Sequence, residues 1–277
     1  MAVKYLAGER IQGTAAERAA LTTGYTDVNG LNGTATAITV DTAVEPSFTT
    51  GCYDFNGTSS KVTISDSIGT TAFSLSAWFR TNTTSGNHSI YGQLGLGLNL
   101  YQAGGNRISC SQGGGGSQIV GTPTISADTW YNIIMTKTAG VGDGVAITYL
   151  TELGESTNTL DSESDWSDFQ TGQTSLISGH QTDWWDGFIT DFATWNKVIS
   201  STTRDAITGG SGALISSLSD KSGITTYYPF TSLSGSTVTN MATSVYPKLQ
   251  DGSIYEEQDT GKIYIWDLAN NTWNEIL

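Results

Sequence analysis

The chain is short of most of the residues that catalytic and nucleic-acid-binding proteins depend on. Its 277 residues include only 2 cysteines, 2 histidines, 3 methionines and 4 prolines. Its 12 lysines and arginines face 26 aspartates and glutamates, for a net charge of −14. The shortage of positive charge excludes nucleic acid as a partner, because that binding rests on neutralising phosphates with Lys and Arg. Cys52 and Cys110 lie 58 positions apart, which fits no zinc-ligand spacing. They are two buried thiols or one long-range disulfide. No run of 18 apolar residues exists, so membrane insertion by a helix is not expected. Met1 is not followed by the basic and then apolar stretch of a secretory signal. His88 and His180 come without a Gly-x-Ser-x-Gly elbow, so serine-hydrolase chemistry lacks its parts.

What is present points to strands. Glycine is frequent (33), aromatic residues make up 10%, and Ser and Thr are abundant, a composition suited to many short strands joined by tight turns. Phe73 to Thr81 alternates, with Phe73, Leu75, Ala77 and Phe79 on one face as core and Ser74, Ser76, Trp78 and Arg80 on a partly wet one. Trp130 to Lys137 and Val145 to Leu150 flank Gly142-Asp143-Gly144 and predict a hairpin. Further short strands are expected at Ser89–Tyr91, Leu96–Tyr101, Arg107–Ser111, Gln118–Val120 and Ile224–Phe230. Trp184 to Ser200, WWDGFITDFATWNKVIS, predicts a strand occupied on both faces, Trp185, Ile189, Ala193 and Trp195 against Phe188 and Phe192. A short helix over Ser201–Ile207 follows, capped by Ser200 or Ser201 and ended at Gly209-Gly210. The fold class is all-β: a two-sheet antiparallel β-sandwich with short terminal appendages.

The ends read differently from the middle. Residues 1–35 form an N-terminal attachment segment, with a capping box at Thr14 and Glu17, and hold too little apolar surface to fold alone. Residues 36–244 form the main domain. Residues 245–277 form a C-terminal hairpin module with strands near 253–256, 262–266 and 272–276.

Four stretches carry a family likeness: CYDFNGTSSKVTISD, FSLSAWFRT, WYNIIMTK with VAITYL, and WWDGFITDFATWNKVIS. In that order they resemble the landmark strands of the concanavalin A-like, laminin-G-like jelly-roll superfamily, and ITTYYPF looks like its Tyr-Tyr-Pro-Phe strand. The resemblance implies a jelly roll and a lectin-like or glycoside-hydrolase lineage. The terminal segments KYLAGERIQGTAAERAAL and GSIYEEQDTGKIYIWDLANNTWNEI resemble those of marine phage and archaeal-virus virion surface and tail proteins. That likeness implies a virion-surface location, attachment through the termini to other virion proteins or sister subunits, and a homo-oligomer. A microbial cell-surface adhesin and a purely structural decoration protein are the alternatives.

Glucanases of the fold carry Glu-x-Asp-x-x-Glu on one strand, and no such run occurs here, so no enzymatic activity is expected. Sugar binding needs an indole to stack on a pyranose and a few polar groups around it. His180, Gln181, Asp183 and Trp184 on one loop, with Asn87 and His88 on another, are the candidates. If Trp185 is core, Trp184 faces outward, because neighbours in a strand point oppositely. The polar interval Thr151–Gln173 carries Asp161, Glu163, Asp165 and Asp168, a solvated acidic loop or a calcium site. Trp166 stands where a calcium loop of the D-x-D-x-D type needs glycine. No cofactor is required, and calcium is the one candidate.

Overall fold

The structure, a computed structural model, describes residues 11–13, 18, 33–41, 49, 51–64, 72–93, 98–103, 106–112, 118–138, 144–166, 174–180, 183–209, 212–218, 223–230, 233, 236–238, 252, 254–267 and 272–276. Two compact units divide the chain: Leu31–Ala242, and Met1–Gly30 together with Thr243–Leu277.

The larger unit is a β-sandwich whose described sheet pairings are all antiparallel. With strands numbered in chain order, one sheet runs Gln118–Thr124 (β10), Arg107–Gln112 (β9), Leu98–Ala103 (β8), His88–Gln93 (β7), Ser175–Ile177 (β14), Lys61–Ile64 (β5), Gly33–Thr36 (β2) and Thr237–Val238 (β17). The other runs Asn158–Trp166 (β13), Gly144–Glu152 (β12), Trp130–Lys137 (β11), Phe73–Thr81 (β6), Asp186–Trp195 (β15), Cys52–Asn56 (β4) and Thr39–Asp41 (β3), with Ile224–Tyr228 (β16) also paired to β15. The expected hairpin is present, with β11 and β12 in register from Tyr131↔Glu152 to Lys137↔Ala146.

Side chains from both sheets fill the space between them. Phe73, Leu75, Ala77 and Phe79 of β6 meet Ile90, Tyr91, Ile108 and Ile177 of the facing sheet, all essentially inaccessible. Trp185 belongs to this core and meets Phe79 edge-on at 5.4 Å. Removing such side chains from water contributes about 1.5–3 kcal/mol each, so the core sequences select the sandwich over any more open arrangement. Cys110 lies in the same core and Cys52 in another cluster; both thiols are buried and neither forms a disulfide.

The second face of β6 is not wet. Ser74, Ser76 and Trp78 have no exposed surface, because a further layer lies over the outside of this sheet. That layer includes the helix Ser201–Thr208 (α1), a 3-10 turn at Ile215–Ser217, and the apolar residues Ile199, Ile207, Ile215 and Leu218 packed on Ile134, Ala193 and Trp195. Ser74 is polar because it serves this layer: its hydroxyl donates to the Lys197 carbonyl at 2.8 Å and accepts from the Ile199 N–H at 2.9 Å. The Ser200 side chain accepts from the Thr203 N–H and caps α1 as the sequence predicts.

β15 departs from the expected alternation. Trp185, Ile189 and Phe192 face the main core, Phe188 packs with Cys52, Trp78 and Trp130, and Ala193 and Trp195 face the helical layer. The cause is a bulge between Thr190 and Ala193, with Asp191 at φ 51°. One extra residue switches which side chains face in. At the same place β15 changes partner on one edge, from β4 (Asp186 to Ile189) to β16 (Phe192 to Trp195).

The interval read as a polar loop contains a strand instead. β13 pairs with β12 and sets Asp161 across from Thr148 and Glu163 across from Ala146. Pairing with a neighbour that is already fixed supplied what its polar sequence did not show.

In the smaller unit the two ends of the chain share one sheet. Ile11–Gly13 (β1) runs parallel to Ile254–Glu257 (β18), which continues antiparallel to Ile263–Asp267 (β19) and then Thr272–Glu275 (β20). Arg18 donates to Glu257 at 2.6 Å and stacks over the Tyr264 ring at 3.7 Å. Burial pushes Glu257 up, but the hydrogen bonds from Thr260 and Arg18 and the charges of Arg18 and Lys262 outweigh it and hold the carboxyl below its ordinary range. The Thr14–Glu17 capping box lies outside the described residues.

Candidate functional site

The candidate residues around 180–184 sit where the chain passes from β14 to β15. Ser178 leaves β14 at φ 60° and Gly179 follows at φ 149°. The Ser178 hydroxyl donates to the Ser60 carbonyl at 2.8 Å and accepts from the Trp185 N–H at 3.2 Å, which fixes both ends of the crossing. His180 and Asp183 close a narrow turn by exchanging backbone bonds of 3.2 and 3.0 Å. Trp185 then points into the core with no exposed surface, and Trp184 is half-buried on the outside, as strand alternation predicts.

Two glycines make the seat for these outward side chains. A Cβ on Gly179 would lie 2.7 Å from the Trp184 ring, and one on Gly92 would lie 2.7 Å from the His180 Cβ. The indole therefore rests against the bare backbone of the crossing at Gly179, with Leu176 beside it, and the imidazole against bare backbone of β7 at Gly92. The Lys61 ammonium stands over the indole, 5.3 Å from its centroid. Burial pushes the His180 ring down from its ordinary value, against the opposing pull of Asp183. Burial thus disfavours the charged ring, and in its neutral form the imidazole offers one donor and one acceptor.

His88 is brought to the same place but is already engaged. Its Nδ1 lies 2.8 Å from the Trp184 carbonyl and its Nε2 lies 2.8 Å from the Ser85 carbonyl. Both partners are carbonyl oxygens, so the ring donates to at least one of them, and it lies as a clamp between the β6–β7 loop and the backbone of Trp184. Asn87 beside it is exposed, and Gln181 lies outside the described residues. The rim continues with Asp186, whose carboxylate accepts from Asn82 Nδ2 at 3.1 Å. Asn56 anchors the adjoining turn by accepting from the N–H groups of Thr58, Ser59 and Ser60. Lys61 escaped the reading of the sequence because a lone lysine on an alternating strand carries no signal of its own; only the fold sets it against Trp184.

The proposed calcium ligands are not gathered into a loop. Asp161, Glu163 and Asp165 follow one another along β13, where alternate residues are about 6.6 Å apart, whereas ligands of one calcium ion lie within about 2.6 Å of it. Asp168 and the side chains of the other three lie outside the described residues. Among the described residues no group of three or more His, Cys, Asp or Glu is placed to hold a metal ion, and no helix is long and apolar enough to cross a membrane.

Solved structures of other proteins align with parts of the chain. A Bacteroides ovatus protein assigned to carbohydrate binding aligns at 14% identity over 76% of this chain and 55% of that one, with a TM-score of 0.45. Tailspike protein 2 of an Escherichia coli bacteriophage aligns at 11% identity over 75% of this chain and 31% of that one, with a TM-score of 0.53. The heptameric pentraxin of Limulus polyphemus aligns at 12% identity over 56% and 80%, with a TM-score of 0.44. The chain thus spans about half the length of the first of these and a third of the second. No curated protein matches the sequence. The profile of the concanavalin A-like lectin/glucanase superfamily, in its laminin-G form, matches residues 56–203, from the last residue of β4 to the first turn of α1. That span is more than half of the chain and holds the Trp184 seat, and the protein belongs to this superfamily.

Proposed function

We propose that the protein is a non-enzymatic, lectin-like glycan-binding component of a virion surface. The observation that carries the binding role is the Trp184 platform: an indole turned out of the sandwich, seated on Gly179, held from behind by the His88 clamp and flanked by the polar groups of His180 and Asp183. A pyranose lays its apolar C–H face on such a ring, while its hydroxyls bond the polar rim. A glycan array with the native chain and Trp184→Ala tests it. Loss of the bound spots in the variant, corresponding to a roughly tenfold to hundredfold weaker affinity, is expected. Identical profiles would remove the site, and a blank array for both would favour the purely structural role.

The virion setting rests on the likeness of the terminal segments to those of phage and archaeal-virus surface proteins. Mass spectrometry of purified particles tests it, and absence of the chain from them would favour a cell-surface adhesin. Binding proceeds without a metal in this reading, so EDTA leaves glycan retention unchanged. Retention lost in EDTA and restored by millimolar calcium would return the acids of 161–168 to consideration.

A further inference from the structure

We propose that the Trp184 platform selects acidic glycans, sugars bearing a carboxylate or a sulfate, and that Lys61 is the residue that makes the selection. The inference rests on the glycan-binding reading above and narrows it to one class of substituent.

The chain has 26 acids for 12 bases, so a lysine has no shortage of carboxylates to pair with. Four described basic side chains make such pairs: Arg18 with Glu257, Arg80 with Asp128, Arg204 with Asp205 and Lys262 with Glu275. Among the described residues Lys61 has no carboxylate partner, and its ammonium is held by the Trp184 indole alone. Its neighbours across the strands are Thr36 and, two residues on, Leu176 opposite Thr63, none of them charged. Of the described groups on the 180–184 turn, burial disfavours a charge on the His180 ring, and the Asp183 charge acts on that ring.

The ammonium stands over the ring on which a sugar would stack. A pyranose in van der Waals contact with the indole must therefore push Nζ to the edge of the platform. A neutral sugar forfeits the cation–π contact and offers only hydroxyls in return. An acidic sugar replaces the contact with an ion pair to a carboxylate or sulfate at its ring edge. The same lysine thus penalises one class and rewards the other, so discrimination arises from a repulsive and an attractive element together. Non-specific attraction does not produce the same preference, because a chain of net charge −14 repels polyanions in general.

The experiment is calorimetric titration of the full chain with trigalacturonate, its methyl ester, galactotriose and sulfated galactotriose, repeated on Lys61→Gln and Trp184→Ala. The native chain is expected to prefer an acidic probe over its neutral counterpart by about fivefold to tenfold. Raising the salt from about 0.05 M to about 0.5 M reduces that preference. Lys61→Gln brings the two probes to parity, by weakening the acid and leaving the neutral sugar equal or slightly tighter. Preference for trigalacturonate over its ester assigns the carboxylate as the ligand group, and preference for the sulfated over the plain trisaccharide assigns the sulfate; either supports the inference. Neutral and acidic probes bound equally by the native chain, or a preference that survives Lys61→Gln, would overturn it while leaving glycan binding intact. No binding of any probe, or binding unchanged in Trp184→Ala, would overturn the platform itself and this inference with it.

Discussion

At the scale of single residues, the site depends on two positions that must lack a side chain. Gly179 combines φ 149° with a ring 2.7 Å from where its Cβ would be, and Gly92 has the His180 Cβ and the Gly179 carbonyl at 2.7 and 2.8 Å. Gly179→Ala therefore displaces the indole and strains the backbone. It is expected to cost about 1–3 kcal/mol of stability and to abolish glycan retention. Gly92→Ala is expected to do less damage to the fold, since its φ is not in the left-handed region, yet to shift His180. Thermal melts read the first effect and array binding the second; wild-type retention in Gly179→Ala would show that the seat does not matter. The outward turn of Trp184 was legible in the sequence, because adjacent residues of an extended chain point to opposite sides and a core Trp185 turns Trp184 away from that core. The part played by His88 was not. A histidine on a loop looks the same whether its nitrogens face a ligand or two carbonyls, and only the packing of that loop against Trp184 decides.

At the scale of elements, the bulge in β15 is the feature that the period-two pattern could not convey. Asp191, at the bulge, is fully buried and accepts from the Ile215 N–H at 2.9 Å and the Tyr227 hydroxyl at 2.8 Å. It thereby fastens the 3-10 turn of the outer layer to the sheet. Burial pushes its carboxyl up to about 7, and the two hydrogen bonds only partly oppose this. In the unfolded chain an Asp titrates near 4, so between about pH 4 and pH 7 the folded protein keeps a proton that the unfolded chain has released. The stability contributed by this group is full below pH 4 and falls as pH rises through about 7. Burial followed by the charges of Asp41 and Asp186 raises Asp54 as well, so a variant must isolate the effect. In urea titrations from pH 4 to pH 8, the native chain is expected to lose on the order of 2–4 kcal/mol more than Asp191→Asn does. Parallel curves would show that Asp191 does not titrate in this window. The strands that flank the bulge were legible because their apolar residues alternate, and β13 was not, because its pairing with β12 does not depend on apolar content.

At the scale of the whole molecule, the organisation differs from the linear order of head, body and tail that composition implies. The N-terminal segment and the C-terminal module each looked too small to fold alone, and the structure joins them: β1 lies alongside β18 with Ile11 opposite Tyr255 and Gly13 opposite Glu257, and Arg18 covers Glu257 and Tyr264. A parallel pairing between residues more than 240 positions apart leaves no local trace in sequence, since neither strand constrains the other through a turn. The unit has one further consequence. Removing residues 1–30 alone takes away an edge strand and the guanidinium partner of a buried carboxylate, which leaves Glu257 without its strongest opposite charge. Removing 1–30 and 243–277 together takes away the whole unit and leaves 31–242, whose core is its own. The smaller deletion is therefore expected to be the more harmful one. Limited proteolysis should cut the 1–30 deletion rapidly within 243–277, while the double deletion stays resistant and keeps one cooperative melt. A 1–30 deletion whose C-terminal strands remain as protected as in the native chain would mean that β18, β19 and β20 stand without β1, and that the two ends act independently.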